Sequence, residues 1–429
     1  MQALIKPGGI YGDLAVPASK SMTQRAYASA LLHHGKTIIR NAGNSDDERA
    51  ALRIIQQLGA TITQQSENTI EVISHFPDGV GFAKDTIIDC GESGLAARLF
   101  TPIAALSAHT IKISGTGSLL HRPLHISEEV LASLNVTMQG FTGHLPVTVQ
   151  GPMQAVSVKM SGLESSQFLS GLLFALSYCA KESVEIEMLG LKSKPYIDMT
   201  LEVMRRFGKP IAHDNYKVFY VSPSLFSNIE LAEIDIEGDW SGAANLIVAA
   251  AIAGKVIIRN LNGQSTQADR AIVDVLNKVG AMVTEQDHCV TVKMHRLRAF
   301  DFDATHCPDL FPILAILAAC SEGESDIKGV HRLFYKESNR VESIAQMLEN
   351  FEVPFAVRDD ILHITGVEYL QSATIDSYND HRIAMAAAVG ALRADGRVTI
   401  LHATAVNKSY PDFFRDLILS GVNCKLQHD

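Results

Sequence analysis

Residues 379–403 read NDHRIAMAAAVGALRADGRVTILHA. A polar tip, Asn379-Asp380-His381-Arg382, opens onto an Ala-rich run that is apolar nearly all round, the pattern of a helix buried on every side. Asp395-Gly396 then breaks the run, and Val398-Thr399-Ile400 supplies the β-branched residues of a strand. The same tip, helix, break and strand recur five times upstream: SKSMTQRAYASALLHHGKTIIRNA (19–42), ESGLAARLFTPIAALSAHTIKISG (92–115), SSQFLSGLLFALSYCAKESVEIEML (165–189), DWSGAANLIVAAAIAGKVIIRNL (239–261) and PDLFPILAILAACSEGESDIKGV (308–330). With Ser21, Ser93, Ser166, Ser241, Leu310 and His381 as markers, successive copies lie 72, 73, 75, 69 and 71 residues apart. Six copies at so regular a period make a repeat architecture.

A second helical pattern lies between the copies: DDERAALRIIQQLGATI, RPLHISEEVLASLNVTM, PYIDMTLEVMRRFGKPI, ADRAIVDVLNKVGAMV, ESNRVESIAQMLENFEV and PDFFRDLILSGVNCKL. It is amphipathic, so one face should be solvated. Gly59, Gly208, Gly280 and Gly421 stand where such a helix needs a left-handed residue to close. Each repeat then holds two helices and several strands, which gives an α/β chain of six βαβαββ-like units, packed three and three. The expected division is 1–18 with 236–429 as one domain and 19–235 as the other. The weakest segment is SPSLFSNIELAEID around 222–235, and crossings are expected near 15–20 and 230–237. The N-terminal strand, ALIKPGGIYGDLAVP, is free to pair with the last repeats instead of the first.

Composition narrows the function. Of 429 residues, 47% are hydrophobic and 20% charged, and 37 Lys+Arg against 47 Asp+Glu leave a formal charge of −10. That excludes disorder, and no broad cationic surface for nucleic acid is expected. The six cysteines are scattered, without a C-x-x-C pair or a His/Cys grouping at metal spacing, so neither disulfides nor a metal is expected. The N-terminus lacks a basic and apolar leader, and runs such as LIVAAAIAGKVII are too short to span a bilayer, so a soluble, cytoplasmic protein is expected, with no membrane partner.

The repeat tips carry chemistry. Helix N-termini expose unpaired N–H groups and a partial positive charge, which favours anions. The tips add Lys20, Ser21 and Arg25; Ser93, Gly94 and Arg98; Arg122; Ser165, Ser166 and Gln167; Ser193; Asp239; Asp309; Lys336, Glu337 and Arg340; Asp380, His381 and Arg382; and Lys408. Each has a bland explanation. The serines and aspartates suit N-caps, and Arg98, Arg340 and Arg382 suit solvated ion pairs. Caps give no reason, however, for so many cations at matching points of an acidic chain. That pattern points to multiply charged, phosphorylated substrates. G-x-x-x-x-G-K-[ST], G-x-G-x-x-G after a strand, G-x-S-x-G and H-E-x-x-H are all absent, so nucleotide hydrolysis, dinucleotide redox chemistry and serine or zinc hydrolysis lack their usual signs.

The segments PASKSMTQR, SSQFLSGLL, SKPYIDMTLEVMRRFG, EGDWSGAA, YKESNR, YNDHRIAMA and NKSYPDFF resemble, in order along the chain, the motifs of the 5-enolpyruvylshikimate-3-phosphate synthase family. The resemblance implies a two-domain inside-out α/β fold of the enolpyruvyl transferase type, with six βαβαββ repeats, three per domain, and an active site in the interdomain cleft. It implies enolpyruvyl transfer from phosphoenolpyruvate to the 5-hydroxyl of shikimate 3-phosphate, by a monomer without cofactor. By the same resemblance Asp309 serves the 5-hydroxyl, Glu337 and Lys20 transfer protons, and His381 lies next to the leaving phosphate. Lys20, Arg122, Arg340, Arg382 and Lys408, with Gly94 and Gln167, would hold phosphoenolpyruvate. Lys20, Ser21, Arg25, Ser165, Ser166, Gln167, Ser193, Tyr196, Asp309 and Lys336 would hold shikimate 3-phosphate. Closure of the domains on substrate is expected to expel water from the site.

The chain departs from the family pattern at four places. Glu92-Ser93-Gly94-Leu95 stands where Asn-Ser/Ala-Gly-Thr is usual, Asn339 where Asp is usual, and Ala18-Ser19 where Gly-Asp or Gly-Asn is usual; the match around Arg332 is poor. A carboxylate within about 4 Å of a bound anion costs on the order of 4 kcal/mol at an effective dielectric near 20. Glu92 must therefore turn away, pair with a cation such as Arg98, or weaken binding. Two rival readings follow. A UDP-N-acetylglucosamine enolpyruvyl transferase would carry a reactive Cys in the loop that here reads GTGSLLH, and a non-catalytic paralogue would bind a phosphorylated metabolite without turnover.

Overall fold

The computed structural model describes residues 1–76, 82, 85–124, 126–140, 142–162, 165–223 and 231–427. Part of the expected weak segment, 224–230, lies outside the described residues. The chain divides into two compact units, Ala18–Ile236 and Met1–Pro17 with Glu237–Asp429. They are named below by their main spans, 18–236 and 237–429.

Among the described residues the 18–236 unit holds six α-helices: α1 (Lys20–Leu32), α2 (Asp46–Gln57), α3 (Gly94–Ala104), α4 (Glu128–Ser133), α5 (Ser166–Cys179) and α6 (Lys194–Arg206). The 237–429 unit holds α7 (Trp240–Ala253), α8 (Ile272–Val279), α9 (Phe311–Ala319), α10 (Arg340–Asn350), α11 (His381–Gly390) and α12 (Phe413–Leu419). The odd-numbered helices are the Ala/Leu-rich runs. All of α3, α9 and α11 is buried, as is all of α7 except Ser241. Small side chains on every face let other elements approach from all sides. The even-numbered helices bury one stripe, such as Ala50, Ala51, Ile54 and Ile55 of α2. They close on glycine where the sequence reading places it: Gly59, Gly208, Gly280 and Gly421 have φ of +99°, +71°, +83° and +86°, which other residues adopt only with strain.

The described strands form six sheets of four. Each sheet has one parallel pair, followed by two antiparallel pairings. The simplest are Ile87–Asp89, Ile111–Ser114, Val147–Gln150 and Thr137–Gln139 in spatial order, with Val158–Ser161 and Asp301–Asp303 opening two further sheets of the same kind. In the other three sheets one strand arrives from far along the chain. Leu231–Asp235, the last strand of its unit, pairs in parallel with Gly35–Arg40 and completes the first repeat. Ile10–Ala15 pairs in parallel with Gly254–Arg259 and completes the fourth. Gln2–Ile5 lies antiparallel between Val398–Leu401 and Cys424–Gln427 and completes the sixth. The N-terminal segment is thus two strands, both spent in the 237–429 unit. A Cβ on Gly254 would collide with the Ile10 carbonyl, so the close strand pairing there requires glycine.

Each unit has its own core. In the 237–429 unit α9 packs on α11 and α7 around Trp240, Phe311, Phe351 and Phe413. Trp240 is fully buried and its indole N–H donates to the Asn262 carbonyl at 3.1 Å. Truncating it to Ala costs about 3–5 kcal/mol. In the 18–236 unit α3 packs on α5 and α1 on α6, around Tyr27, Phe100, Phe168, Phe174 and Phe219. These contacts bring together the polar residues at the starts of the buried helices.

Candidate active site

In the 237–429 unit three helix starts meet around one guanidinium. Arg340, the first residue of α10, is 1% exposed. Its Nε donates to Asp380 Oδ2 at 2.8 Å, Nη1 to Asp309 Oδ1 at 2.7 Å, and Nη2 to Glu337 Oε2 at 2.6 Å and Asp380 Oδ1 at 3.2 Å. Burial alone would weaken its hold on the proton, but Asp380, Glu337 and Asp309 more than compensate and raise its pKa. Asp380 caps α11, accepting from the Arg382 amide at 2.9 Å, and also accepts from Ser338 Oγ at 3.1 Å. Its place is fixed from two helices.

Asp309 sits in the 3₁₀ turn Pro308–Leu310 that leads into α9. Lys336 Nζ lies 3.3 Å from its Oδ1, and Arg382 Nη2 lies 3.9 Å from its Oδ2. Burial pushes this carboxyl up, but Lys336, Arg340 and Arg382 together hold it well below the usual carboxylate value. Lys336 moves down because its own burial outweighs the pull of Asp309 and Glu337, with Arg340 and Arg332 adding repulsion. Arg382 is 4% exposed, yet its Nε and Nη1 have no hydrogen-bond partner among the described residues. Burial lowers its pKa, and Asp309, Asp239 and Asp269 raise it by more. Two desolvated donors on a cation are costly unless an anion takes them. His381, the first residue of α11, is 2% exposed, its Nδ1 4.0 Å from Asp380 Oδ1. Lys408 ends a 3₁₀ helix and donates to the Asn379 carbonyl at 2.7 Å.

In the 18–236 unit the predicted residues form three groups. Lys20 Nζ lies 2.8 Å from Asp47 Oδ2, in the first turn of α2. Arg25 is fully buried, with Nε on Thr200 Oγ1 at 2.8 Å, Nη1 on the Ser21 carbonyl at 2.8 Å and Nη2 on the Tyr196 carbonyl at 3.2 Å. Burial lowers its pKa to about 10. Ser170 Oγ bonds Thr200 Oγ1 at 2.8 Å and ties α5 into this group. In the third group a Cβ on Gly94 would stand 2.7 Å from Arg98 Nη1 and 3.0 Å from Arg122 Nη2, so both guanidiniums press on the glycine. Arg98 reaches Gln167 Oε1 at 2.9 Å and the carbonyls of Leu124, Gly94 and Pro123 at 2.6, 3.0 and 2.8 Å. Ser193 adopts a left-handed backbone, φ +56°, just before α6, and Tyr196 lies in that helix's first turn.

The bland readings fare unevenly. Ser93 and Ser165 do cap α3 and α5, and Asp239 and Asp380 cap α7 and α11. The cap of α1 is Ser19, not Ser21, and Ser166 is the first residue of α5, inside its cap. Asp309 caps nothing: α9 follows Leu310 directly. The bland alternative of solvated pairs for Arg98, Arg340 and Arg382 does not hold, since all three are buried, and Arg98 is spent largely on backbone carbonyls. Glu92 Oε2 accepts from the Ser118 amide at 2.9 Å and hydroxyl at 2.8 Å.

Asp47, Thr200, Ser170 and Asp269 were not found from sequence. Asp47, Thr200 and Asp269 lie in the amphipathic helical segments, where an aspartate or threonine reads as a cap or a solvated face, and Ser170 lies within the buried α5, where a lone serine gives no signal. No metal spacing was seen either, yet Glu324, Asp326 and His363 bring one ligand atom each within 4.8 Å of one another. This grouping comes from adjacent strands, and a 2.6 Å His363–Asp326 hydrogen bond accounts for it.

The fold is that of enolpyruvyl transferases. An EPSP synthase of Acinetobacter baumannii superposes with a TM-score of 0.84 at 23% identity over all of both chains, and the enolpyruvyl transferase NikO of Streptomyces tendae with 0.76 at 17%, over 99% of this chain and 98% of that one. The sequence is more specific. The profile of EPSP synthase (3-phosphoshikimate 1-carboxyvinyltransferase) matches residues 5–417. A 3-phosphoshikimate 1-carboxyvinyltransferase of Clostridium novyi is 34% identical over 96% of this chain and 95% of its own, and one of Methanocorpusculum labreanum 32% over 99% and 100%. The chain belongs to the EPSP synthase family.

Proposed function

We propose that this chain transfers the enolpyruvyl group of phosphoenolpyruvate to the 5-hydroxyl of shikimate 3-phosphate, releasing phosphate. The observation that carries the reading is an ionised, half-buried Asp309 between Lys336, Arg340 and Arg382, with two Arg382 donors unfilled. Such a group both accepts a hydroxyl proton and binds an anion. Asp309 takes the 5-hydroxyl proton as its oxygen attacks C2 of phosphoenolpyruvate, while Glu337 or Lys20 protonates C3. The adduct then loses a C3 proton to that group, and the C2–O bond to phosphate breaks with His381 beside the leaving group.

Arg340, Arg382 and Lys408 hold phosphoenolpyruvate from the 237–429 unit, and Lys20, Arg122, Gly94 and Gln167 from the 18–236 unit. Ser21, Arg25, Ser165, Ser166, Gln167, Ser193, Tyr196 and Lys336 serve shikimate 3-phosphate. Against the non-catalytic alternative, the Glu92 carboxylate is engaged by Ser118. We also take the enzyme to be monomeric and cytoplasmic; the six cysteines, all free, suit a reducing compartment. Among the described residues no helix is long and apolar enough to cross a membrane. Phosphate release by purified protein, with each substrate omitted in turn, tests the reaction. Release that needs both supports it, and binding without release favours the non-catalytic reading.

A further inference from the structure

The buried stripe of α6 is apolar, with Ile197, Met199, Val203 and Met204, except for Thr200. Thr200 is fully buried, and its hydroxyl stands where three helices meet. Arg25 Nε of α1 lies 2.8 Å from Thr200 Oγ1, Ser170 Oγ of α5 lies 2.8 Å from it, and the Tyr196 carbonyl, one turn back in α6, lies 3.0 Å from it. Ser170 Oγ is also 2.9 Å from the Ser166 carbonyl. Arg25 sends its two terminal nitrogens to the carbonyls of Ser21 and Tyr196. A bond from Thr or Ser to the carbonyl four residues back is ordinary inside a helix and carries no function by itself. The bonds of Thr200 to Arg25 and to Ser170 join different helices and have no such local explanation.

Donor chemistry fixes their direction. A guanidinium only donates, so Thr200 must accept from Arg25, and its single proton is left for Tyr196 or Ser170. All three Arg25 partners are neutral oxygens, so the fully buried guanidinium depends on them to stay in place. The carbonyls at which the network ends belong to Ser21, Ser166 and Tyr196, each in the first turn of its own helix. Those are three of the residues assigned above to shikimate 3-phosphate. We infer that Thr200 is a positioning residue for that substrate: its hydroxyl fixes Arg25, and through Arg25 and Ser170 it holds the first turns of α1, α5 and α6 in the register the ligand needs. The inference rests on the assignment of those turns to shikimate 3-phosphate. Without the hydroxyl, Arg25 Nε is desolvated with no acceptor, and the guanidinium that ties Ser21 to Tyr196 is free to shift.

The test is calorimetric binding of shikimate 3-phosphate, with steady-state kinetics and urea unfolding, for the wild type, Thr200→Val, Thr200→Ser and Ser170→Ala. Val keeps the branched shape of Thr and lacks the hydroxyl. Thr200→Val should weaken binding of shikimate 3-phosphate and raise its KM by about tenfold, the worth of one charge-assisted hydrogen bond, while KM for phosphoenolpyruvate changes far less. Thr200→Ser restores the acceptor and should bring both quantities back toward wild type. Ser170→Ala leaves the Arg25 bond in place and should raise the same KM by a smaller factor, about threefold. A merely structural Thr200 would lower the unfolding midpoint of Thr200→Val and leave shikimate 3-phosphate affinity at the wild-type value; that result overturns the inference. So does a failure of Thr200→Ser to restore affinity. If Thr200→Val does not fold, an unchanged KM for shikimate 3-phosphate in Ser170→Ala overturns it instead. A wild type that binds no shikimate 3-phosphate would sink the assignment of the site itself, a result readily told apart from wild-type affinity in the variants.

Discussion

Replacing Arg340 by Lys keeps the charge and removes the fork. The guanidinium satisfies three carboxylates at once, Asp380 from Nε and Nη2, Asp309 from Nη1 and Glu337 from Nη2, all at 2.6–3.2 Å. A lysine ammonium is one point with three donors, and it cannot stand at both Nε and Nη1. At least one carboxylate is left short of a partner. Charge-assisted hydrogen bonds are worth about 1.5–3 kcal/mol each, and a buried charge left unpaired costs about 3–5 kcal/mol. We expect Arg340→Lys to destabilise the 237–429 unit by about 3 kcal/mol. Because the same fork is assigned to phosphoenolpyruvate, KM for that substrate should rise on the order of a hundredfold, since every 1.4 kcal/mol is tenfold. KM for shikimate 3-phosphate should change far less. Urea unfolding gives the first quantity and steady-state kinetics the others. Wild-type stability together with an unchanged KM for phosphoenolpyruvate would refute the reasoning, because it would mean that the three carboxylates do not depend on the fork.

Gly94→Ala should cost about 1–3 kcal/mol of stability, because its Cβ meets Arg98 Nη1 at 2.7 Å and Arg122 Nη2 at 3.0 Å, and Arg98 Nη1 is held by the Gly94 carbonyl and Gln167. Moving them should raise KM for phosphoenolpyruvate by about tenfold, a modest displacement of one charged contact; an unaltered KM would remove Arg122 from the proposed grip. Glu92→Ala loses two hydrogen bonds to Ser118 and should cost about 1–3 kcal/mol without improving phosphoenolpyruvate binding. A tenfold fall in KM would show instead that the carboxylate opposes the substrate. Asp309 is held below its ordinary value of 3.8, so its stabilising effect is full above that pH and is lost as pH falls toward the folded value. The thermal stability gap between wild type and Asp309→Asn should therefore close in acid; a gap that widens there would contradict the ion network.

The six-fold repeat is readable in the sequence because its signals are local. An Ala-rich run that tolerates contact on all sides, an amphipathic partner and a closing glycine each declare themselves within about 15 residues. The exchanged strands are not readable in this way. That Leu231–Asp235 completes the first sheet, and that residues 2–15 complete two others, depends on pairings with no local mark. The cations at the helix tips were likewise plain, but not their company. Arg340 suits a solvated pair on paper and is instead the buried hub of three carboxylates. Glu92, a liability as a letter, accepts two hydrogen bonds from a serine 26 residues on.

The most direct test of the chemistry is turnover in deuterium oxide, read by mass spectrometry of the shikimate product. Protonation of C3 followed by proton loss must exchange the methylene hydrogens with solvent, so the product should carry the enolpyruvyl group with deuterium at that carbon, and Asp309→Ala should form little of it. An enolpyruvyl product free of deuterium would contradict addition and elimination at this site, and no product at all would contradict the transfer.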